Sequence, residues 1–273
     1  MRRFLSSVCM YTVKNWIVSY KMNDYIDGDK FKDMCETRLG DPLPDSKHIL
    51  MYADSDKYFE AVSFISQNHN HNFTLVTHNG DKTIESVALP NNLKSWYTIN
   101  LNFQHPRVFP IPIGLENTHW YPKKRGIMEN GPTFESRLIK SFAQFNPATS
   151  PKYRLPILPL IADKSVDTDV YPCENGINFE LYIHNLRRYA FCLCPRGNGI
   201  DTHRIWESLY MGCIPIVKRH STHAFNEDLP ILFIDDWREV TPDLLAKTHE
   251  DIDIPLFKSP LLTMSYWKKR VLT

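Results

Sequence analysis

The feature that most constrains the fold is a continuous stretch, residues 190–217, that passes from one apolar run through a turn and a helical pattern into another apolar run. Residues 190–194 and 214–217 are short and apolar, which is typical of buried strands. Between them, residues 202–211 place apolar side chains at helical spacing, and Gly212 follows as a helix C-cap. A strand, a helix and a strand joined by short loops predict parallel pairing and an α/β fold.

The first half of the chain shows the same alternation. Its apolar runs predict four strands, at residues 48–53, 73–77, 96–100 and 108–113, and residues 57–67 have helical spacing. Two halves built on this pattern predict two Rossmann-like lobes that face one cleft.

A polar, basic segment over residues 117–131 separates the two halves. We therefore place the seam at residues 130–145 and expect a first lobe over 1–140 and a second over 141–260. Residues 261–273 are expected to form a final helix.

The composition excludes several classes of protein. Thirty-two basic and 31 acidic residues give a net charge of +1, which argues against bulk binding of nucleic acid. The opening stretch is interrupted by Lys14 and Asn15, so neither a secretory signal nor a membrane span is expected. The expected location is therefore cytoplasmic, without a membrane span and without a nucleic-acid partner.

The turn at residues 196–201 carries the most informative chemistry. Gly197 and Gly199 let backbone amides approach an anion closely, and the following helix N-terminus adds N–H groups and a partial positive charge. Arg196 and Arg204 flank the turn and can both offer bidentate donors. This pattern suits a diphosphate.

Glu207 lies one helical turn beyond Arg204, where a carboxylate can accept hydrogen bonds from a ribose diol. The alternative is that the glycines only make a turn and that Arg204 and Glu207 only pair on a helix surface. Residues 80–83 (GDKT) lack the Gly-Lys pair of a phosphate-binding Walker loop, so kinase and ATPase functions are not predicted.

Residues 191–215 resemble the C-terminal signature of exostosin-like, GT47-type glycosyltransferases, roughly F-x-x-x-P-x-G-x-G-x-D-x-x-R-x-x-E-x-L-x-x-G-x-I-P-V. Every fixed position except the last is matched literally. Weaker similarities lie at residues 75–81 and 110–116, at Trp96 with Asn100, and at Asn146 with Arg154, so the likeness covers about residues 48–237. The chain is short for two full Rossmann lobes, and it resembles the compact soluble forms of the family from microbes and large DNA viruses.

The resemblance implies a GT-B fold, in which the first lobe is on the acceptor side, the second binds a nucleotide sugar and the last helix packs back on the first lobe. It also implies an inverting glycosyltransferase. The expected partners are a nucleotide-sugar donor and a glycan or glycoprotein acceptor. UDP is the preferred nucleotide, and the transferred sugar could be a pentose such as xylose. The alternatives are a non-catalytic nucleotide-sugar or glycan-binding protein of the same fold and a purely structural α/β domain.

The resemblance also implies which residues bind the donor. The set is Arg196, Gly197, Asn198, Gly199, Asp201, Thr202, Arg204, Glu207, Asn146 and Arg154. Arg204 would neutralise the charge that grows on the leaving phosphate. Asp201 would either bond the donor sugar or cap the helix.

Inversion needs a base that takes the proton of the acceptor hydroxyl, and it is expected in the first lobe. The candidates are Asp54, His78, Asp81 and Glu116, which all follow predicted strands. We favour Asp54 or Asp81, because an aspartate stays ionised at neutral pH. His203 is not predicted to be catalytic.

The acceptor is expected to contact Trp96, Asn100 and Glu116, although an aromatic residue such as Trp96 is more often part of a core. Four Asp-x-Asp pairs occur, at residues 27/29, 54/56, 167/169 and 251/253. Composition alone gives roughly one or two, so the pattern has little force. Because the two arginines beside the turn can supply positive charge, we predict transfer without a metal or a cofactor.

Overall fold

The protein is built on two parallel sheets, as seen in a computed structural model that describes residues 24–117, 137–171, 173, 178–226 and 228–273. The strands of the first sheet are β1 (Thr37–Arg38), β2 (His48–Asp54), β3 (Asn72–His78), β4 (Leu93–Thr98) and β5 (Val108–Pro110). They lie side by side in chain order. The strands of the second sheet are β6 (Leu138–Ala143), β7 (Thr168–Val170), β8 (Tyr189–Leu193), β9 (Ile214–Lys218) and β10 (Leu232–Ile234), in the order β10-β9-β8-β6-β7.

The helices of the described residues are α1 (Gly28–Asp33), α2 (Tyr58–Gln67), α3 (Pro151–Arg154), α4 (Ile157–Ala162), α5 (Phe179–Arg188), α6 (His203–Tyr210), α7 (Pro242–Asp251) and α8 (Met264–Leu272). None of these helices has both the length and the apolar character needed to cross a bilayer.

The predicted α/β class is confirmed, because the pairs within both sheets are parallel and α-helices connect β2 to β3, β6 to β7, β7 to β8 and β8 to β9. The strand predicted at 108–113 is shorter than expected and ends at Pro110. Pro110 and Pro112 lack an N–H group, which removes donors from the ladder beyond that point. The basic segment 118–131 and the first part of the predicted seam lie outside the described residues; β6, which begins at Leu138, already belongs to the second sheet.

The second sheet has a topological switch point between β6 and β8. From β6 the chain first adds β7 on one side, and it then returns to place β8 on the other side. The loops that leave neighbouring strands in opposite directions open a crevice at the carboxyl ends of β6 and β8, which is where ligands bind in open α/β sheets. The glycine-bearing turn follows β8 and so lies at this crevice.

The final helix joins the two lobes through buried contacts. Trp267 and Val271 of α8 belong to a core cluster that also contains Tyr97 of β4. The Tyr97 hydroxyl donates to the Arg270 carbonyl at 3.0 Å, and the Met264 amide donates to the Asp24 carbonyl at 2.8 Å. The helix therefore contacts first-lobe residues directly.

If α8 is part of this core, Trp267→Ala should destabilise the protein by about 3–5 kcal/mol, because a fully buried indole leaves a cavity. Urea unfolding of the purified variant measures this loss. Leu272→Ala, at an exposed position of the same helix, is the control and should change stability by less than about 0.5 kcal/mol. Equal effects of the two substitutions would show that α8 is not anchored by its buried face.

Candidate functional site at the carboxyl ends of the sheets

The segment between β8 and α6 contains residues 196–202, which we call the glycine loop. One side of the loop contacts residues that follow β3, β4 and β5 in the first lobe. The other side contacts residues of the second lobe that follow β6. The loop therefore lies where the carboxyl ends of both sheets meet.

Three arginines from different elements converge on the glycine loop. Arg154 of α3 donates from Nε to the Arg196 carbonyl at 3.1 Å and from Nη1 to the Asn146 carbonyl at 2.8 Å. Arg204 of α6 donates from Nη2 to the Gln144 carbonyl at 3.0 Å. The carbonyls that follow β6 thus hold two of the guanidinium groups beside the loop.

Gly197 allows this close approach. A Cβ atom at this position would lie 3.2 Å from Nη2 of Arg154, which is tighter than an ordinary contact. Aromatic faces add to the positioning, since the Arg196 guanidinium lies 4.2 Å from the Tyr153 ring centre and that of Arg204 lies 5.6 Å from the Tyr182 ring centre.

Three positive charges lie together at the site. Burial and the neighbouring charge of Arg204 together lower the pKa of Arg154 to about 10. Glu207 is a carboxylate that acts on Arg204, and the pKa of Arg204 is raised against the effect of burial. Within the described ranges, none of the three guanidinium groups forms a salt bridge with a carboxylate. Nε of Arg196, Nε of Arg204 and the Thr202 hydroxyl are buried and find no hydrogen-bond partner in the part of the chain that the structure describes. Buried donors in this state are costly, and an anion would satisfy them.

Asp201 fastens the glycine loop to the first lobe. Its buried carboxylate accepts the Ile113 amide at 2.8 Å, the Thr202 amide at 2.9 Å and the Trp206 indole N–H at 3.1 Å. Burial raises its pKa to about 6, against the opposing effect of these hydrogen bonds. Thr202, not Asp201, is the N-cap residue of α6 by position. The bond from Asp201 to Ile113 joins the two lobes, a contact that neither the sugar-binding nor the capping alternative described.

Asn100 holds the same loop from its other side. Its side-chain oxygen accepts the Ile200 amide at 2.8 Å and the Asp201 amide at 2.9 Å. It follows β4 with a φ of 54°, a left-handed conformation that asparagine tolerates well. Gly199 is required at this contact, since a Cβ there would lie 2.8 Å from Nδ2 of Asn100. The buried Asn100 side chain, expected at the acceptor, thus contacts the loop backbone.

Three of the four base candidates in the first lobe, His78, Asp54 and Asp81, occupy different environments. His78 is 1% exposed, its Nε2 bonds the Pro112 carbonyl at 3.1 Å, and burial lowers its pKa to about 4. Asp54 is exposed and accepts the Tyr52 hydroxyl at 3.3 Å. Asp81 is also exposed and accepts Nδ2 of Asn198 at 3.2 Å. Of these three candidates, Asp81 is the one that bonds the glycine loop.

Glu116 meets the second lobe through His203, the first residue of α6. Nε2 of His203 lies 3.4 Å from Oε2 of Glu116, and Nδ1 lies 2.8 Å from the Gly114 carbonyl. Sequence reasoning did not assign a role to His203. Its position next to the glycine loop, at the start of a helix, was the signal that could have found it.

Trp96 has no exposed face for an acceptor sugar. Its ring is 0% exposed, stacks on Tyr58 at 5.8 Å and donates from Nε1 to the Thr77 hydroxyl at 2.8 Å. This position is the core of the first lobe, because β4 directs Trp96 to the face covered by α2. The geometry therefore does not support the acceptor role expected for Trp96.

Two cavities lie in the second lobe. One of about 600 Å³ lies at the carboxyl ends of β6 and β7 and is lined by Asn146, Phe145 and Tyr171 among other residues. The other, of about 200 Å³, lies beside Arg196 and is lined also by Lys218 and His220 among others. The oxygen of the Asn146 side chain accepts the Ala148 amide, so this residue shapes the rim of the larger cavity.

Glu207 lies on α6 one turn after Arg204 and is 5% exposed. Across the described stretches of the chain, no three His, Cys, Asp or Glu side chains are grouped closely enough to hold a metal ion. The positive charge at the glycine loop comes from the arginines.

The sequence match agrees with this geometry. Residues 64–241, more than half of the chain, match the family model described as the exostosin GT47 domain. The chain belongs to the exostosin GT47 family. Its two parallel sheets agree with the GT-B fold, which confirms the fold expected from the sequence.

A similar protein is a probable glycosyltransferase of Arabidopsis thaliana, which is 27% identical over 99 residues. The match covers 36% of this GT47 chain and 19% of the relative. The part of the chain that matches thus spans about a fifth of the length of that relative.

The raised pKa of Asp201 predicts a stability slope with pH. A carboxyl with a folded-state pKa of about 6 and an unfolded value near 4 favours the folded state at low pH. This contribution, about 3 kcal/mol, is lost as the pH rises through 6.

Urea unfolding of wild type and Asp201→Asn at pH 4 and pH 7 measures the slope. The free-energy difference between the two proteins should change by a few kcal/mol between these pH values. Asp45→Asn, at an exposed position, is the control for the effect of low pH on the stability of the whole protein. A difference that does not change with pH would mean that Asp201 is not buried in the interlobe contact.

Asn100→Ala should cost about 1–3 kcal/mol, because it leaves the buried amides of Ile200 and Asp201 without an acceptor. Hydrogen exchange should show faster exchange of these two amides. Asn102→Ala, two residues later and exposed, should leave both unchanged. Unchanged protection in Asn100→Ala would contradict the proposed anchoring of the loop.

Proposed function

We propose that the protein is an inverting glycosyltransferase that moves a sugar from a nucleotide-sugar donor to a hydroxyl of a glycan or glycoprotein. The observation that carries the proposal is the convergence of Arg154, Arg196 and Arg204 on the glycine loop, where they form no salt bridge with a carboxylate of the described residues. Membership of the exostosin GT47 family supports the reaction class.

The donor diphosphate would lie against the glycine loop. The unpartnered Nε atoms of Arg196 and Arg204 and the Thr202 hydroxyl are donors that a phosphate oxygen can satisfy. Backbone amides at Gly197 and Asn198 and the start of α6 add partial positive charge. Asp201, already bonded on all sides, positions the loop.

Arg204 has the role most closely tied to the chemistry. As the bond from the anomeric carbon to the diphosphate breaks, negative charge grows on the leaving oxygen. A buried guanidinium held by the Gln144 carbonyl stabilises this charge without reorganising. The arginines supply charge that a metal ion would otherwise bring, which is the basis for proposing metal-independent transfer.

Glu207 would accept the ribose hydroxyls, since it follows Arg204 by one helical turn. Asn146 and Arg154 would border the nucleoside, because they lie at the rim of the larger cavity and beside the loop. UDP is the preferred nucleotide and a pentose such as xylose a suitable sugar, both on the family resemblance. The base would come from the first lobe, where Asp81 and Glu116 contact the second lobe.

Arg204→Ala should lower kcat/KM by about 100- to 1,000-fold, because it removes charge stabilisation in the transition state. Arg204→Lys should recover part of the rate, since an ammonium keeps the charge but loses the planar donor geometry. Transfer from UDP-, GDP- and CMP-sugars measures the rate, and the anomeric configuration of the product tests inversion. Arg238→Ala, with a side chain 66% exposed, is the matched control.

Thermal shift with free UDP, GDP and CMP separates the alternatives. An enzyme binds a nucleotide and turns over its sugar, whereas a binding protein shows affinity without turnover in the presence of any acceptor. The absence of a shift with every nucleotide and nucleotide sugar would overturn the proposal.

A further inference from the structure

A hydrogen-bonding constraint at the lobe interface singles out His203 and Glu116. The Gly114 carbonyl can only accept, so Nδ1 of His203, 2.8 Å away, must carry a hydrogen. In a neutral ring with that tautomer, Nε2 presents a lone pair. It would then face Oε2 of Glu116 at 3.4 Å, and two lone pairs in contact repel each other.

A proton on Nε2 would replace this repulsion with attraction. The two side chains, one from each lobe, lie at ion-pair distance. Their side chains are 29% and 23% exposed, so the pair is partly open rather than sealed in the core. Oε1 of Glu116 makes no hydrogen bond to any residue in the described ranges.

The placement matches the needs of a base. Glu116 follows β5 at the carboxyl edge of the first sheet, opposite the donor lobe. His203 directly follows Thr202 of the glycine loop and precedes Arg204. Oε2 of Glu116 therefore contacts the first residue of the helix that begins at the proposed diphosphate site. Oε1 is available to accept a proton from a substrate.

The remaining carboxylates and histidine are less suited. His78 is buried with both ring nitrogens occupied, and Asp201 is buried with its oxygens bonded. Asp54 bonds Tyr52 within its own lobe. Asp81 contacts the second lobe only through the exposed Asn198 side chain and lacks a cationic partner in the described structure.

We infer that Glu116 is the base of the transfer reaction and that His203 is its positioning residue, an inference that rests on the proposed function. The acceptor hydroxyl loses its proton to Oε1 of Glu116 as its oxygen bonds the anomeric carbon of the donor. The bond from that carbon to the diphosphate oxygen breaks, and its electron pair leaves with the diphosphate. His203 orients Glu116 from the opposite lobe, so the base is aligned where the two lobes meet.

The test compares substitutions at both members of the pair. Glu116→Gln should lower kcat by about 100-fold or more with little change in the KM for the donor, since a general base contributes about 10²–10⁴-fold. Glu116→Asp keeps a carboxylate and should be less affected. Glu60→Gln, on the exposed side of α2, is the control for loss of a carboxylate.

His203 offers a matched pair of variants that separates orientation from folding. His203→Asn can still donate to the Gly114 carbonyl but cannot reach Glu116, whereas the longer Gln can donate to Glu116. We expect His203→Gln to retain more kcat than His203→Asn.

A variant Glu116→Gln that keeps more than half of the wild-type kcat would overturn the inference, and so would a larger loss of kcat in Asp81→Asn or Asp54→Asn.

Thermal shift with UDP distinguishes this failure from failure of the proposed function. If wild type binds the nucleotide and transfers the sugar, the proposed function stands and only the base is wrong. If wild type binds no nucleotide, both fail. If Glu116→Gln has a lowered melting temperature, a similar loss of kcat in Glu116→Asp would count against the inference.

Discussion

The attachment of the glycine loop to the first lobe is the contact on which the rest of the site depends. A buried carboxylate, Asp201, and a buried amide, Asn100, bond the loop from two sides. Together they orient the backbone between β8 and α6, and that backbone carries Arg196 and leads into Arg204. The cost of burying the Asp201 charge, visible in its raised pKa, is offset only while these hydrogen bonds are intact.

This contact also explains why the site is built from both lobes. The second lobe contributes cationic groups, held by carbonyls that follow β6. The first lobe contributes Asn100 and the Ile113 amide, which hydrogen-bond the loop, and the carboxylates of Asp81 and Glu116, which contact the second lobe. Because α8 and a shared apolar cluster also join the lobes, the two halves of the site keep a defined separation.

Much of the fold could be predicted from local patterns. The strands β2, β3, β8 and β9 and the helices α2 and α6 lie close to where apolar runs and helical spacing placed them. These elements are predictable because each has a continuous apolar face or run that must be buried. The C-cap at Gly212, with a φ of 73°, was predictable for a similar local reason.

The environment of single polar and aromatic residues was less predictable. Trp96 lies in one predicted strand and His78 directly follows another, and the sequence analysis expected both side chains at the cleft. Both are instead buried within the first lobe. Asp201 belongs to the glycine loop but bonds the opposite lobe, at Ile113, 88 residues earlier in the chain. No local signal distinguishes a carboxylate that meets a ligand from one that meets a distant backbone amide.

The sequence alone determined that this chain alternates strands and helices and that a glycine loop flanked by arginines precedes a helix. These properties follow from side-chain chemistry and spacing within a few residues. Only the tertiary structure decided which distant groups meet: that three arginines of the second lobe converge beside the glycine loop and that His203 contacts Glu116 across the lobes. Such contacts join residues far apart in the chain, and their geometry is set by sheet topology and lobe packing rather than by local pattern.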